Sequence, residues 1–182
     1  MATVTYDAQS FMLDSRRIWI VGGQIDYARV PADEWADRLH AARAAGLNTV
    51  AASVPWFLHE PRPGQYDFEG QADIRRFVQL AGRAGLWVIL RAGPYVGDGW
   101  DLGGLPQWLL QKPDIALRSP NAPLLEATSK YITALTEQLR DLQMTSVGRG
   151  RADPRDPERI RLELRRPGRG RRVPRRADAL LP

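Results

Sequence analysis

The sequence predicts an α/β fold, a parallel sheet assembled from three βαβ units, followed by a C-terminal tail of different character. Three observations carry that prediction. Short apolar runs alternate with segments of helical period along residues 17–142. The runs at 49–54 and 86–90 lack regular polar alternation, as expected of strands buried on both faces. The helical segments that precede them end at Gly46 and Gly85, residues suited to a C-cap.

Residues 17–21, Arg-Ile-Trp-Ile-Val, are apolar and β-branched, end at Gly22-Gly23, and read as the first strand. Beyond Pro31, Trp35, Leu39, Ala42 and Ala45 recur at helical spacing up to Gly46. Residues 49–54 form the second strand, stopped by Pro55. Pro and Gly punctuate 59–70, which reads as loop. Ile74, Phe77, Val78 and Ala81 share one face of a helix over 73–84. Residues 86–90 form the third strand, 92–123 a long loop, and 124–142 a helix of about five turns at ~3.6 residues each. Three units cannot close a (β/α)8 barrel, which needs eight and typically ~250 residues. From pattern alone, a small self-contained open α/β sheet is the alternative.

The chain has 182 residues, 43% hydrophobic, with six Trp, which suffices for one domain with a real core. It has no Cys, so disulfides and thiolate metal sites are excluded and nothing points to an oxidising compartment. Residues 1–10 lack the basic and apolar regions of a secretory signal, and no stretch approaches the ~20 apolar residues of a bilayer crossing. The expectation is a soluble, cytoplasmic protein without membrane contact. Two His leave no metal cluster, and neither Gly22-Gly23 nor Gly103-Gly104 has a phosphate-loop pattern, so no metal and no cofactor are expected. His40 is expected to face solvent on a helix, and His59 to buttress a loop. The sequence carries no signal for an oligomeric state.

The net charge of +5 belongs to the end of the chain. Residues 149–182 hold 12 Arg against five acidic residues, an excess of +7 that leaves −2 on residues 1–148. The folded part therefore offers no footprint for nucleic acid. We divide the chain into residues 1–146 and a tail, 147–182, that has no aromatic residue and is dominated by Arg, Pro and Gly. Too few apolar residues are present there to bury a core, so disorder is expected. The switch after residue 146 is abrupt, and text of this composition arises when a GC-rich gene is read out of frame. A nucleic-acid arm is the competing reading, weakened by the interspersed acids and the lack of stacking partners.

Within residues 15–143 the motifs Gly46-Leu47-Asn48-Thr49-Val50, Val54-Pro55-Trp56, His59-Glu60-Pro61, Gly64-Gln65-Tyr66-Asp67-Phe68, Arg91-Ala92-Gly93-Pro94-Tyr95 and Gly103-Gly104-Leu105-Pro106-Gln107-Trp108 occur in order. Together they resemble the N-terminal catalytic region of the family 35 glycoside hydrolases, the β-galactosidases. The resemblance implies a partial (β/α)8 TIM barrel, about its first three βα units, and a carbohydrate partner, a β-galactoside or related sugar. It places the two catalytic Glu on strands four and seven, beyond the matching region. No residue here is expected to be catalytic, and the chain alone is expected to be inactive. A non-catalytic carbohydrate-binding remnant is the alternative.

Departures from the family pattern cluster after the strands. Ser53 and Phe57 stand where the family has a sugar-contacting Tyr and an Asn; Gly99 stands where it has Glu; Asp26 replaces His. The substrate-binding candidates are Asp26, Tyr27, Trp56, Glu60, Tyr95, Asp98 and Trp100. Each has a plain structural alternative. Trp56 and Trp100 could stack on a sugar or pack, Glu60 could bond a hydroxyl or pair with Arg91, and Asp98 could reach a pocket or merely form a turn.

Overall fold

A computed structural model describes residues 3–143 and the strand Ile160–Glu163. Strands β1 (Val4–Tyr6), β2 (Phe11–Leu13) and β3 (Arg16–Ile18) form an antiparallel sheet in that order. The turn between β2 and β3 has two residues, Asp14 and Ser15, with φ of 48° and 66°. Positive φ at both positions is what a hairpin turn matched to strand twist requires. In the preceding turn the Asp7 carboxylate accepts from the amides of Gln9 and Ser10 and pairs with Arg17 at 2.7 Å.

A parallel sheet follows, in the order β4 (Gly22–Gln24), β5 (Thr49–Ser53), β6 (Trp87–Arg91) and β7 (Ile160–Glu163). Between these strands lie α1 (Trp35–Ala44), the short α2 (Trp56–His59), α3 (Ile74–Arg83) and α4 (Ala122–Leu139). Consecutive strands are neighbours, and right-handed crossovers then put the helices on one face of the sheet. The core forms on that side from Val50, Ala52, Val88 and Leu90 of the sheet against Trp35, Leu39, Ile74, Phe77, Tyr131 and Leu135 of the helices. Burial at about 1.5–3 kcal/mol for each large apolar side chain holds the helices on the sheet. Asp73 caps α3 by accepting from the Arg76 amide at 2.8 Å, and Asn121 caps α4 by accepting from that of Leu124. Both α1 and α3 end in the same closure: Leu47 donates to the Ala42 carbonyl and Leu86 to that of Ala81, around glycines with φ of 92° and 79°. Only glycine enters that left-handed turn without strain.

Several expectations are corrected. The first strand of the parallel sheet is Gly22–Gln24, not residues 17–21. Arg16–Ile18 belongs to the hairpin instead, because the two-residue Asp14-Ser15 turn returns it onto β2. The sheet has four strands where three were expected. The fourth, Ile160–Glu163, comes from the tail and pairs parallel with β6. An edge strand offers unpaired N–H and C=O groups, and the short alternating run Ile-Arg-Leu-Glu can take them up. The rest of 147–182, and the boundary expected at 146, lie outside the described residues. Strand β6 is not buried on both faces, since Val88 and Leu90 are buried while Trp87, Ile89 and Arg91 are half-exposed. The stretch expected as loop, 92–123, contains short 3-10 turns at Asp101–Gly104 and Gln107–Gln111, and α4 begins within it at Ala122. Among the described residues no helix is long and apolar enough to cross a membrane.

Candidate functional site

The half-exposed face of the sheet carries the polar residues. In register, Gln24, Ala51 and Ile89 stand side by side, and two residues further on Ser53 and Arg91 share the same face. All lie toward the C-terminal ends of the strands. After β6 the chain turns back through Gly97, Asp98 and Gly99, every one with positive φ. Asp98, at φ 53°, is the residue that a side chain strains, and the turn delivers its carboxylate to the strand ends.

There Asp98 becomes a hub. Its Oδ2 accepts from the Ser53 hydroxyl of β5, from the Arg91 guanidinium of β6 at 2.8 Å, and from the Gln24 amide of β4 at 3.4 Å. One carboxylate thus ties three successive strands together. The same Gln24 amide donates to Asp26 Oδ1 at 2.9 Å. Arg29 secures the turn from outside by donating to the Asp98 carbonyl at 2.7 Å. With side chains 42% and 19% exposed, the Arg91–Asp98 pair contributes under about 1 kcal/mol to stability. Its consequence is orientation. Arg91 Nε is buried with no partner among the described residues.

Next to the hub lies a cleft of about 510 Å³, lined by Arg29, Phe57, Gly99, Trp100, Asp101 and Trp108 among others. Trp100 forms part of its wall. The Arg29 guanidinium sits 4.0 Å from the Trp100 ring centroid, and Phe57 meets that ring edge-on at 5.3 Å. Arg29 therefore fixes both the Asp98 backbone and the Trp100 ring.

Of the residues the sequence singles out, Asp26, Asp98 and Trp100 come together here. The others do not. Trp56 is fully buried, stacked on Tyr131 at 4.8 Å with Trp108 edge-on at 5.9 Å, so its ring is closed to a sugar. Glu60 does not pair with Arg91. It is buried, accepting from Trp56 Nε1 at 2.6 Å and from the Gly64 amide at 2.7 Å, which satisfies both oxygens. Tyr27 is fully buried against Trp35 and Phe77. The Tyr95 ring fills the space over Gly103 and carries the Arg118 guanidinium 4.6 Å from its centroid, so its contacts are those of loop packing.

His59 buttresses the loop as expected. A carbonyl can only accept, so Nδ1–H donates to the Asp67 carbonyl at 3.0 Å, and Nε2 accepts from the Tyr27 hydroxyl. Burial pushes the imidazole down to about 4 and the Tyr27 phenol well up. His40 is exposed on α1. Gln24 and Arg29 at the hub, and Asp101 on the cleft wall, are residues that motif reading did not single out. A period-2 count from β4 would have found Gln24, had a Gly-Gly-Gln strand been legible.

Comparison with known proteins then fixes the family. The model of glycosyl hydrolases family 35 matches residues 10–149. Human beta-galactosidase-1-like protein 2 is 48% identical over 134 residues, covering 74% of this chain, and mouse beta-galactosidase is 44% identical over 137 residues, covering 75%. In each case the chain spans 21% of the relative's length. Among solved structures, an exo-beta-1,4-mannosidase from an Opitutaceae bacterium superposes with a TM-score of 0.52 at 26% identity, over 68% of this chain and 23% of that one. The likeness thus covers β4 to β6 of the parallel sheet, the helices and the loops that carry the polar cluster, and on that breadth the chain belongs to glycosyl hydrolases family 35.

Proposed function

We propose that this chain builds the sugar-binding floor of a glycoside hydrolase of the β-galactosidase type, and that the 182-residue polypeptide binds galactosides without cleaving them. The observation that carries the reading is the Asp98 hub, where donors from three strand ends converge on one carboxylate beside an aromatic-walled cleft. Enzymes built of βα units place their sites at that end of the strands. Asp98 and Asp26 then accept from sugar hydroxyls, and Trp100 offers its ring to the apolar face of the pyranose. Support for galactosides comes from the relatives named beta-galactosidase.

The non-hydrolytic part follows from the carboxylates. Glycoside cleavage needs two of them, one on each side of the scissile bond. Asp98 and Asp26 instead share one amide and so belong to one wall, while Glu60 is buried beneath Trp56. Titration of the purified chain with methyl β-galactoside, followed by tryptophan fluorescence, is expected to show saturable binding that Asp98→Ala and Trp100→Ala abolish. An aryl β-galactoside is expected to stay intact. Absence of binding overturns the sugar floor, and turnover that disappears in Asp98→Ala or Asp26→Ala overturns the non-hydrolytic reading.

A further inference from the structure

We infer that Gln24 is a specificity-determining residue of the site, with its side-chain carbonyl oriented by Asp26 and Asp98 to accept from one particular hydroxyl of a neutral pyranoside. The inference rests on the sugar-binding reading of the hub. Carboxylates only accept, so the end of the Gln24 side chain that reaches Asp26 Oδ1 at 2.9 Å and Asp98 Oδ2 at 3.4 Å is the NH2 group. An amide is planar, and fixing its nitrogen on two acceptors fixes its oxygen on the opposite side. Gln24 is exposed, and among the described residues Oε1 has no hydrogen-bond partner. The free oxygen is thus held in place before any ligand arrives, so little side-chain entropy is left to lose on binding.

The unused atoms of the hub define the ligand. Asp98 Oδ2 takes all three side-chain donors, which leaves Oδ1 without a partner among the described residues, and the same holds for Asp26 Oδ2. Three acceptors are therefore unused by the network among the described residues: Gln24 Oε1, Asp98 Oδ1 and Asp26 Oδ2. Two of them carry negative charge. A ligand that brings several O–H donors and no charge of its own matches this set, which is the chemistry of a neutral sugar ring with adjacent hydroxyls.

The test uses the full chain, methyl β-galactoside, and its 2-, 3-, 4- and 6-monodeoxy analogues, with affinity read by tryptophan fluorescence and folding by thermal melts. Gln24→Leu is expected to weaken methyl β-galactoside roughly five- to tenfold, the worth of one hydrogen bond, with an unchanged melt. One monodeoxy analogue should lose the same factor against the wild type and lose nothing further against Gln24→Leu, a coupling that a merely structural role would not produce. The isosteric Gln24→Glu, which sets a third carboxylate beside two others, should weaken the parent sugar at least as much at neutral pH. Equal affinity of both variants and the wild type, or a Gln24→Leu loss shared evenly by all analogues, overturns the role of Gln24. If the wild type binds none of the sugars, the sugar floor itself fails, and this inference with it.

Discussion

The buried His59 gives the protein an acid limit that can be calculated. Burial lowers its folded-state value from 6.5 to about 4. As pH falls through 6.5 the unfolded chain takes up a proton, whereas the folded chain does not until about 4. Across that interval the unfolded state binds more protons, so stability is complete above 6.5 and declines toward 4. At about 1.4 kcal/mol for each tenfold change in proton affinity, the full loss is roughly 3 kcal/mol, of which about 2 kcal/mol is gone by pH 5. That is a large share of a domain's usual margin. Protonation would also set a donor on Nε2 against the Tyr27 hydroxyl, which now donates to it. Stopping at pH 5 separates the effect from Asp7, Glu126 and Asp141, whose carboxyls Arg17, Lys130 and Arg75 hold below the usual range and whose contributions are lost only in stronger acid. Urea unfolding at pH 7.5, 6 and 5 should therefore show the wild type losing about 2 kcal/mol. His59→Gln, neutral throughout, should start lower and change by less than about 0.5 kcal/mol. A wild-type profile that is flat over this range, or a variant that falls as steeply, would refute the reasoning.

Three further outcomes are expected. Phe77→Ala, which removes a ring 5.5 Å from Tyr27 and 5.7 Å from Trp35, should cost roughly 3–5 kcal/mol in denaturant unfolding; a loss below 1 kcal/mol would contradict the core described. Gly103→Ala, at φ 65° and beneath the Tyr95 ring, should destabilise. Adding Tyr95→Ala should recover the clash and leave about 1 kcal/mol of backbone strain; fully additive losses would show that the two do not meet. Arg29→Ala should free the Trp100 ring, seen as increased acrylamide quenching of tryptophan fluorescence, at a stability cost of about 1 kcal/mol; unchanged quenching would remove Arg29 from the wall of the cleft.

Strands β5 and β6 and helices α1, α3 and α4 were legible because each has a run of apolar residues at the right period and a local stop signal. What escaped was structure whose cause is not a pattern of apolar side chains. The first parallel strand is Gly-Gly-Gln, with nothing for a hydrophobicity count to register. It exists because its backbone pairs with β5. The N-terminal sheet was hidden in a two-residue turn, and the strand Ile160–Glu163 was averaged away inside an arginine-rich composition. At the site, residue types pointed to the right loops without telling wall from core. Trp56 and Trp100 each follow a strand end, beside a Pro and a Gly respectively. Yet one turn of helix folds Trp56 under the strand end, while the glycine turn before Trp100 carries that ring outward. Glu60 looked like a free carboxylate only because its donors, Trp56 Nε1 and the Gly64 amide, are set by the fold of 56–64.

The positions at which the sequence departs from the pattern it resembles are joined to one another through Asp98 and Arg29. Here the small Ser53 stands where the family has Tyr, and it leaves the space that the Asp98 carboxylate enters and supplies one of its donors. Where the resemblance places a Glu, Gly99 takes the left-handed backbone at φ 68°, with the Arg29 guanidinium in ordinary contact range, 3.8 Å from where a Cβ would lie. From there Arg29 reaches the Asp98 carbonyl and the Trp100 ring. Side-chain donors from Gln24, Ser53 and Arg91 thus meet on one Asp98 oxygen, while Arg91 Nε stays buried without a partner among the described residues. Because Gln24, Ser53 and Arg91 share one Asp98 oxygen, replacing any of them alters the partners left to the other two.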